Sequence, residues 1–324
     1  MRKLILDAML EGERRGLIKD SNETAVFRRQ MEHIYAETYD TLFQDYKYRQ
    51  FLSVNHEVPN WAQFHTFRER TRIGKVQRVA NGGPADYPRV EIEGKETTAG
   101  LFKWGASFGY SIDEMRASAA LGTNLEAARA NAVREAMEDK FDSIACVGDA
   151  DSGLKGLATL ASITDASTAV ASDWSLTATS VSTILGELSA WQKVQRAAAG
   201  NLDSLTADTL LLTSNAYNRL ATTFVASAFA SDRTILQLIL AGNQWIKRIE
   251  CWPTLDTADA GLVGPRCMLY KNSKDVAELV VPQEFEMDAP QLDGRSYQVL
   301  CEAKTGGVKS IRPIGISFSD VAGG

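Results

Sequence analysis

Residues 66–79 read TFRERTRIGKVQRV, and after the turn-forming NGGPADYP (81–88) the chain continues RVEIEGKE (89–96). In the first stretch Phe67, Glu69, Thr71 and Ile73 alternate with Arg68, Arg70 and Arg72, which is the period of a strand. The glycines, prolines and asparagine of 81–88 break the chain, and the following stretch alternates again. Together they predict a long two-stranded excursion with a turn-rich tip. Both of its faces carry charge, and burying unpaired charge is strongly unfavourable. Such a hairpin cannot lie in a core; it must project and be supported from outside its own domain.

The flanking chain divides into an arm and a body. In residues 1–50 charge alternates with helical spacing: Val26, Phe27, Gln30, Met31, Ile34, Tyr35, Thr38 and Leu42 trace one stripe. This amphipathic arm has little core of its own and packs either on its own body or on a neighbour. LFKWGASFGYS (101–111) predicts a strand, and SIDE (111–114) a capping box opening a short helix that runs to Gly122. After a second N-cap at TN (123–124), LEAARANAVREAMEDKFDSIACV runs 23 residues without Gly or Pro. At about 1.5 Å per residue this is a rod of about 35 Å, with Leu125, Ala128, Ala132, Ala136, Phe141 and Ile144 expected to face a core.

A second region follows a weakly patterned stretch at 160–178. Residues 177–198 predict a helix on Val181, Ile184, Leu185, Leu188, Trp191 and Val194. TLLLT (209–213) predicts a buried strand, and SNAYNRLATTFVASAF (214–229) a helix capped by Ser214. An apolar TILQLILAGN comes next, then strands near IKRIECW, CMLYKN, LVVPQEFEM, SYQVLCEAK (296–304) and VKSIRPIGISFSD (308–320). The class is α+β with mostly antiparallel strands.

With 324 residues and 44% hydrophobic content the chain can bury one large core or two to three modest ones. A formal net charge of −6 and a pI near 5.3 exclude a globally basic nucleic-acid binder and confine any such contact to a local patch. Cys146, Cys251, Cys267 and Cys301 lie far apart among apolar neighbours, as buried free thiols of a reducing compartment do. The first apolar run, in MRKLILDAML, is too short for a signal-peptide core. No stretch approaches the roughly 18 apolar residues that span a bilayer, so cytoplasmic folding without a membrane partner is expected.

Candidate chemistry is sparse. GDADSGLKG (148–156) gives Gly148 and Gly153 the spacing of a phosphate-cradling loop, but Leu154 stands where lysine is needed and the loop leaves a helix instead of entering one. As a calcium loop it offers Asp149 and Asp151, but Gly153 is out of place and Leu160 holds the twelfth position. It reads instead as a helix-end turn, with Gly148 left-handed after the last turn and Asp149 and Asp151 in water. His33, His56 and His65 have no matched serine or cysteine nucleophile. No catalytic, cofactor-binding or metal-binding residue is expected. The sharpest charge asymmetry is Arg68, Arg70, Arg72, Lys75 and Arg78, with Arg89 opposite. It is either a basic ribbon for a partner's acidic surface or for phosphates, or the solubilised face of an exposed hairpin.

The order of these parts, and above all KWGASFGYSIDEMRASAALGTNLEAARANAVREAMEDKFDSIACVGDADSGLKGLATL (103–160), resembles the major capsid proteins of tailed bacteriophages. The closing YQVLCEAKTGGVKSIRPIGISFS, with Arg312–Pro313 before an apolar strand, is similar to the family's last strands. The resemblance implies a Hong Kong 97-like fold: an N-terminal arm (1–65), an extended E-loop (66–100), a P domain (101–156, with its spine helix at 124–147), an A domain (157–285) and return strands of the P domain (286–324). It implies a non-enzymatic protein without cofactors, forming pentamers and hexamers of an icosahedral shell around double-stranded DNA that it contacts weakly. The implied location is the virion capsid, assembled in the host cytoplasm, and the alternative is an encapsulin-type compartment. Implied partners are further copies, a separate scaffolding protein, a portal and decoration proteins. In the self-crosslinking variety a lysine and an asparagine pair; Lys75 lies in the E-loop, but Asn272 lacks the matching context.

Overall fold

Leu210, Leu211 and Leu212 are all buried because their strand is covered on both sides. In the computed structural model, which describes residues 46–76, 78, 88–121, 125–225, 233–256, 262 and 264–323, they belong to a five-stranded mixed sheet. Its order is Thr164–Asp165, Ile316–Ser319, Cys267–Tyr270, Thr209–Leu212 and Arg248–Cys251. The period of two sends alternate side chains to opposite faces. Leu211, Met268, Tyr270 and Ile316 enter one core, and Leu210, Leu212, Cys267 and Leu269 enter another. One sheet thus divides the body into two hydrophobic interiors, which is why TLLL and CMLY read as continuous apolar runs.

The second interior is closed by the helix Val181–Ala198, whose Ile184, Leu188 and Trp191 are buried as expected, and by the helices Ser214–Thr222 and Ile235–Gly242. The helix expected at 214–229 ends at Thr222, and residues 226–229 lie outside the described ones. Its cap is Thr213, whose hydroxyl accepts from the Ala216 amide at 3.4 Å. Ser214 is already helical, with its amide donating to Asp256 at 2.8 Å. TILQLILAGN forms a helix on a Thr234–Gln237 capping box.

The first interior surrounds the helix Leu125–Cys146. Phe141 and Ile144 face inward as expected, but Ala128, Ala132 and Ala136 are exposed. The inward stripe is Val133, Met137, Phe141 and Ile144, because the bulkier side chains remove more apolar area from water. On this helix lies a sheet in which Phe102–Ser111 pairs along its whole length with Ser296–Thr305, from Phe102 against Thr305 to Ser111 against Ser296. The other edge of Ser296–Thr305 carries Gln283–Met287 and Gln291–Asp293. The SIDE capping box is formed: the Glu114 amide donates to the Ser111 hydroxyl, and the Ser111 amide to the Glu114 carboxylate, each at 3.1 Å.

Two stretches expected as single strands are each cut by a proline, which cannot donate to a ladder. Around Pro282 the chain divides into Ala277–Val280 and Gln283–Met287, and around Pro313 into Val308–Ser310 and Ile316–Ser319. In both cases the halves join different sheets.

The start of the described body is fastened at Asp142. This buried carboxylate accepts from the Tyr48 amide at 3.2 Å, the Trp252 indole at 3.0 Å and the Thr254 hydroxyl at 2.5 Å. Burial pushes the Asp142 carboxyl up, and the three donors oppose that rise. Asp142→Ala would orphan the buried amide and indole, and should lower unfolding free energy by about 3 kcal/mol in a denaturant titration.

Candidate functional site

The polar stretches 64–73 and 91–100 form a two-stranded antiparallel ladder of their own, Phe64 against Gly100 through Ile73 against Glu91. At about 3.4 Å per residue ten pairs extend roughly 30 Å. Residues 81–87, the core of the expected tip, lie outside the described ones, as do residues 1–45 of the expected arm.

Among the described residues, only the root of the ladder is held by the body. His65 and Phe67 are half-buried, whereas Phe64, Thr66 and Arg68, on the opposite face, are exposed. The buried ammonium of Lys304 donates to the backbone carbonyls of Asn60 at 2.7 Å and Ala62 at 2.5 Å, and the Leu101 amide bonds to the Gln63 carbonyl at 2.9 Å. Gly306 lets His65 and Leu101 approach: a Cβ there would lie 2.6 Å from Leu101 and 3.2 Å from the His65 ring. Neither ring nitrogen of His65 has a hydrogen-bond partner among the described residues. Burial, aided by the Lys309 charge, holds its pKa below the usual imidazole value. Sequence reasoning missed Lys304, since an isolated lysine in an alternating strand gives no sign of burial.

The ribbon read as basic is not uniformly so. Arg68, Glu69, Arg70 and Arg72 share the ladder with Glu91, Glu93, Lys95 and Glu96, so its charges balance. Arg68 lies opposite Glu96 and pairs with it at 2.6 Å. Arg70 faces Gly94 and has no ion partner among the described residues; Arg72 holds the register position opposite Ile92. The cationic excess lies farther out, where Lys75, Arg78 and Arg89 are exposed. Beside them Ile73, Val76, Val90 and Ile92 are exposed too, Val76 by 94% and Ile92 by 66%.

At the helix-end turn Gly148 has φ +94°, and a Cβ there would strike the Leu154 carbonyl oxygen at 2.3 Å. Gly148–Asp149 pairs with Leu154–Lys155, and Gly153 turns the loop at φ +70°. Asp151 is exposed, but Asp149 is not simply solvated. It accepts from the Lys140 ammonium at 2.8 Å and from the Ser152 amide at 3.0 Å and hydroxyl at 2.5 Å. Lys140 first, with Ser152, pulls its pKa down to about 2. The open cleft beside this turn, about 450 Å³, has Arg266 in its wall. That guanidinium is engaged by Asp320 at 2.5 and 2.9 Å and by the Ala158 carbonyl.

Other chemistry-bearing groups are likewise engaged or masked. Among the described residues no group of three or more His, Cys, Asp or Glu could hold a metal ion. All four cysteines are free; Cys146, Cys267 and Cys301 are buried and Cys251 is half-buried. Burial raises each thiol pKa, that of Cys267 to about 12. Asn272 is held within its own chain, donating to the Gln50 carbonyl at 3.2 Å and to Asp208 at 2.9 Å. No described helix is long and apolar enough to cross a membrane.

What the molecule presents is therefore a surface, a long ladder rooted at one end. Residues 77–321 match the family model described as major capsid protein. The chain belongs to the major capsid protein family. Its fold is the Hong Kong 97-like capsid fold, shared with a chain from the capsid of Myoviridae phage XM1 at a TM-score of 0.77 and 17% identity, covering 90% of this chain and 97% of that one. A chain of Mycobacterium phage Bobi superposes with a TM-score of 0.60 at 12% identity, over 91% of this chain and 97% of its own. One from the capsid of the native GTA particle gives 0.58 at 12% identity, over 94% and 100%. No curated protein matches it in sequence.

The root of the ladder should respond to acid. A His65 pKa held below about 6.5 means that the packed root excludes the proton. Its stability is then complete above that pH and falls as pH drops from there toward the lowered pKa. Amide exchange at residues 64–67 should accelerate over this window, and His65→Phe should abolish the pH dependence while keeping the packing.

Proposed function

We propose that this capsid-family chain assembles as pentamers and hexamers into an icosahedral shell enclosing double-stranded DNA. The observation that carries this reading is a ladder of ten strand pairs that is fastened to its body at the root and exposed beyond it. An exposed two-stranded ribbon is marginal in water, and in a closed symmetric assembly a neighbouring copy supplies the missing support. In this reading 66–100 is the E-loop, 1–65 the N-terminal arm, 101–156 with 286–324 the P domain, and 157–285 the A domain. Arg68, Arg70, Arg72, Lys75, Arg78 and Arg89 lie at inter-subunit contacts, and the turn of Gly148, Asp149, Asp151 and Gly153 leads from the spine helix toward the A domain.

The role is architectural. Weak contacts suffice, because each subunit repeats them around a ring and the shell repeats them over its surface. A net charge of −6 suits a wall that must not hold its packaged DNA tightly. A separate scaffolding protein and a portal complete the assembly, which forms in the host cytoplasm and remains as the virion capsid.

Electron microscopy of the purified chain, alone and with the scaffolding protein expressed beside it, tests the reading. Closed shells with pentameric and hexameric units are expected; monomers or dimers under every condition would refute it. Arg70→Glu with Arg72→Glu should leave the monomer's melting temperature unchanged and reduce the shell fraction at least tenfold, since reversed charge at a contact costs several kcal/mol.

A further inference from the structure

The second interior has an open flank. The helices Val181–Ala198 and Ile235–Gly242 both send side chains into it, but between them runs a groove of about 520 Å³. Leu185, Leu188 and Gln192 line it from the first helix, Leu238 and Ile239 from the second, and Trp245 from the segment that follows. The second helix, ILQLILAG, is apolar on more than one face. Ile235 and Ile239 are buried, whereas Leu236 and Leu238 are half-buried and Leu240 is 37% exposed. A helix of this pattern is normally covered on more than one side. At its end the groove is open: a Cβ on Gly242 would meet no atom within 4 Å.

The polar groups of this groove are donors without acceptors. The side-chain nitrogen of Gln192 is buried and bonds to nothing among the described residues, a condition that native structures rarely leave unmet. One turn farther on, Arg196 lies over the Trp245 ring at 4.8 Å and donates to Asp203 at 2.9 Å, while its Nε also lacks a partner. Lys193, beside Gln192, and Lys247, two residues past Trp245, are exposed and form no ion pair among the described residues. The groove thus has apolar walls and, where Arg196 meets Trp245, an excess of cations and unmet donors. In a chain whose net charge is −6 this local sign is the reverse of the whole.

We propose that this groove receives an acidic amphipathic helix of a separate protein, its apolar stripe between the two helices and its carboxylates against Gln192, Arg196 and the two lysines. Side-chain rows of two neighbouring helices leave a trough in which a third helix seats by the same packing. An ionised carboxylate only accepts, which is what the unmet donors require. A basic stripe would leave them unmet and add repulsion. Such a contact is additional to the assembly proposed above and does not depend on it.

Two synthetic helices test it, one with a leucine stripe flanked by glutamates and one with lysines in their place, each labelled and titrated against the full, unassembled chain by fluorescence anisotropy. The glutamate helix should bind saturably and about tenfold more tightly than the lysine helix at low salt, the difference shrinking as salt rises. Gly242→Phe puts a ring into open space, so its melting temperature should match wild type while binding falls about tenfold through lost apolar contact. Gln192→Leu keeps the bulk of the wall and removes the donor; it should weaken the glutamate helix about tenfold and leave the lysine helix unchanged. Equal binding of the two helices, or binding that both variants leave intact, would overturn the inference and leave the assembly reading standing. A Gly242→Phe chain that melts as wild type yet forms no shells would assign the groove to a second copy and would also overturn it.

Discussion

A ribbon ten pairs long with charge on both faces cannot be buried, and the rest of the structure is arranged around holding one end of it. The Lys304 ammonium, buried without a carboxylate, is satisfied by two carbonyls of the segment leading into the ladder. The two bonds satisfy a buried ammonium and fix where the ribbon begins. Gly306 and the packed ring of His65 complete a socket with no room for a larger residue. The long helix and its sheet give this socket a rigid foundation, and the two interiors on either side of the five-stranded sheet hold that foundation to the remainder of the body.

Rigidity at the root and exposure beyond it suit a building block. In the proposed assembly a neighbour supplies the interactions that would stabilise the ribbon, so that folding and assembly are separate steps with separate surfaces.

Much of the fold was legible from period and punctuation. The long helix shows as an uninterrupted run, the capping box at Ser111 as a four-residue pattern, and the buried strand at 209–212 as a leucine run. The errors are instructive. Ala128, Ala132 and Ala136 share a stripe as regular as the buried one, and only the bulk of Val133, Met137 and Phe141 decides which turns inward. Pro282 and Pro313 were visible as residues, but that each sends its strand into two different sheets depends on partners elsewhere in the chain, from Cys301 and Lys304 for one half to Ser53–Asn55 for another. Asp149 looked like a solvated acid because Lys140, nine residues earlier, reaches it only once the helix has carried the chain around the turn.

The sequence by itself determined that the chain would have a polar ribbon outside its core and a long helix ended by a left-handed glycine. These follow from local rules of backbone conformation and burial, which operate within a few residues. The tertiary structure decided which charges meet. Along the chain Arg68 to Arg72 form a basic run, but the antiparallel register sets Glu96 opposite Arg68 and places Glu93 and Glu91 against Thr71 and Ile73, on the other face of the ladder. Lysine burial at the root is also a product of register. Coulombic pairing depends on distance in space, and that distance is set only when the strands are in place.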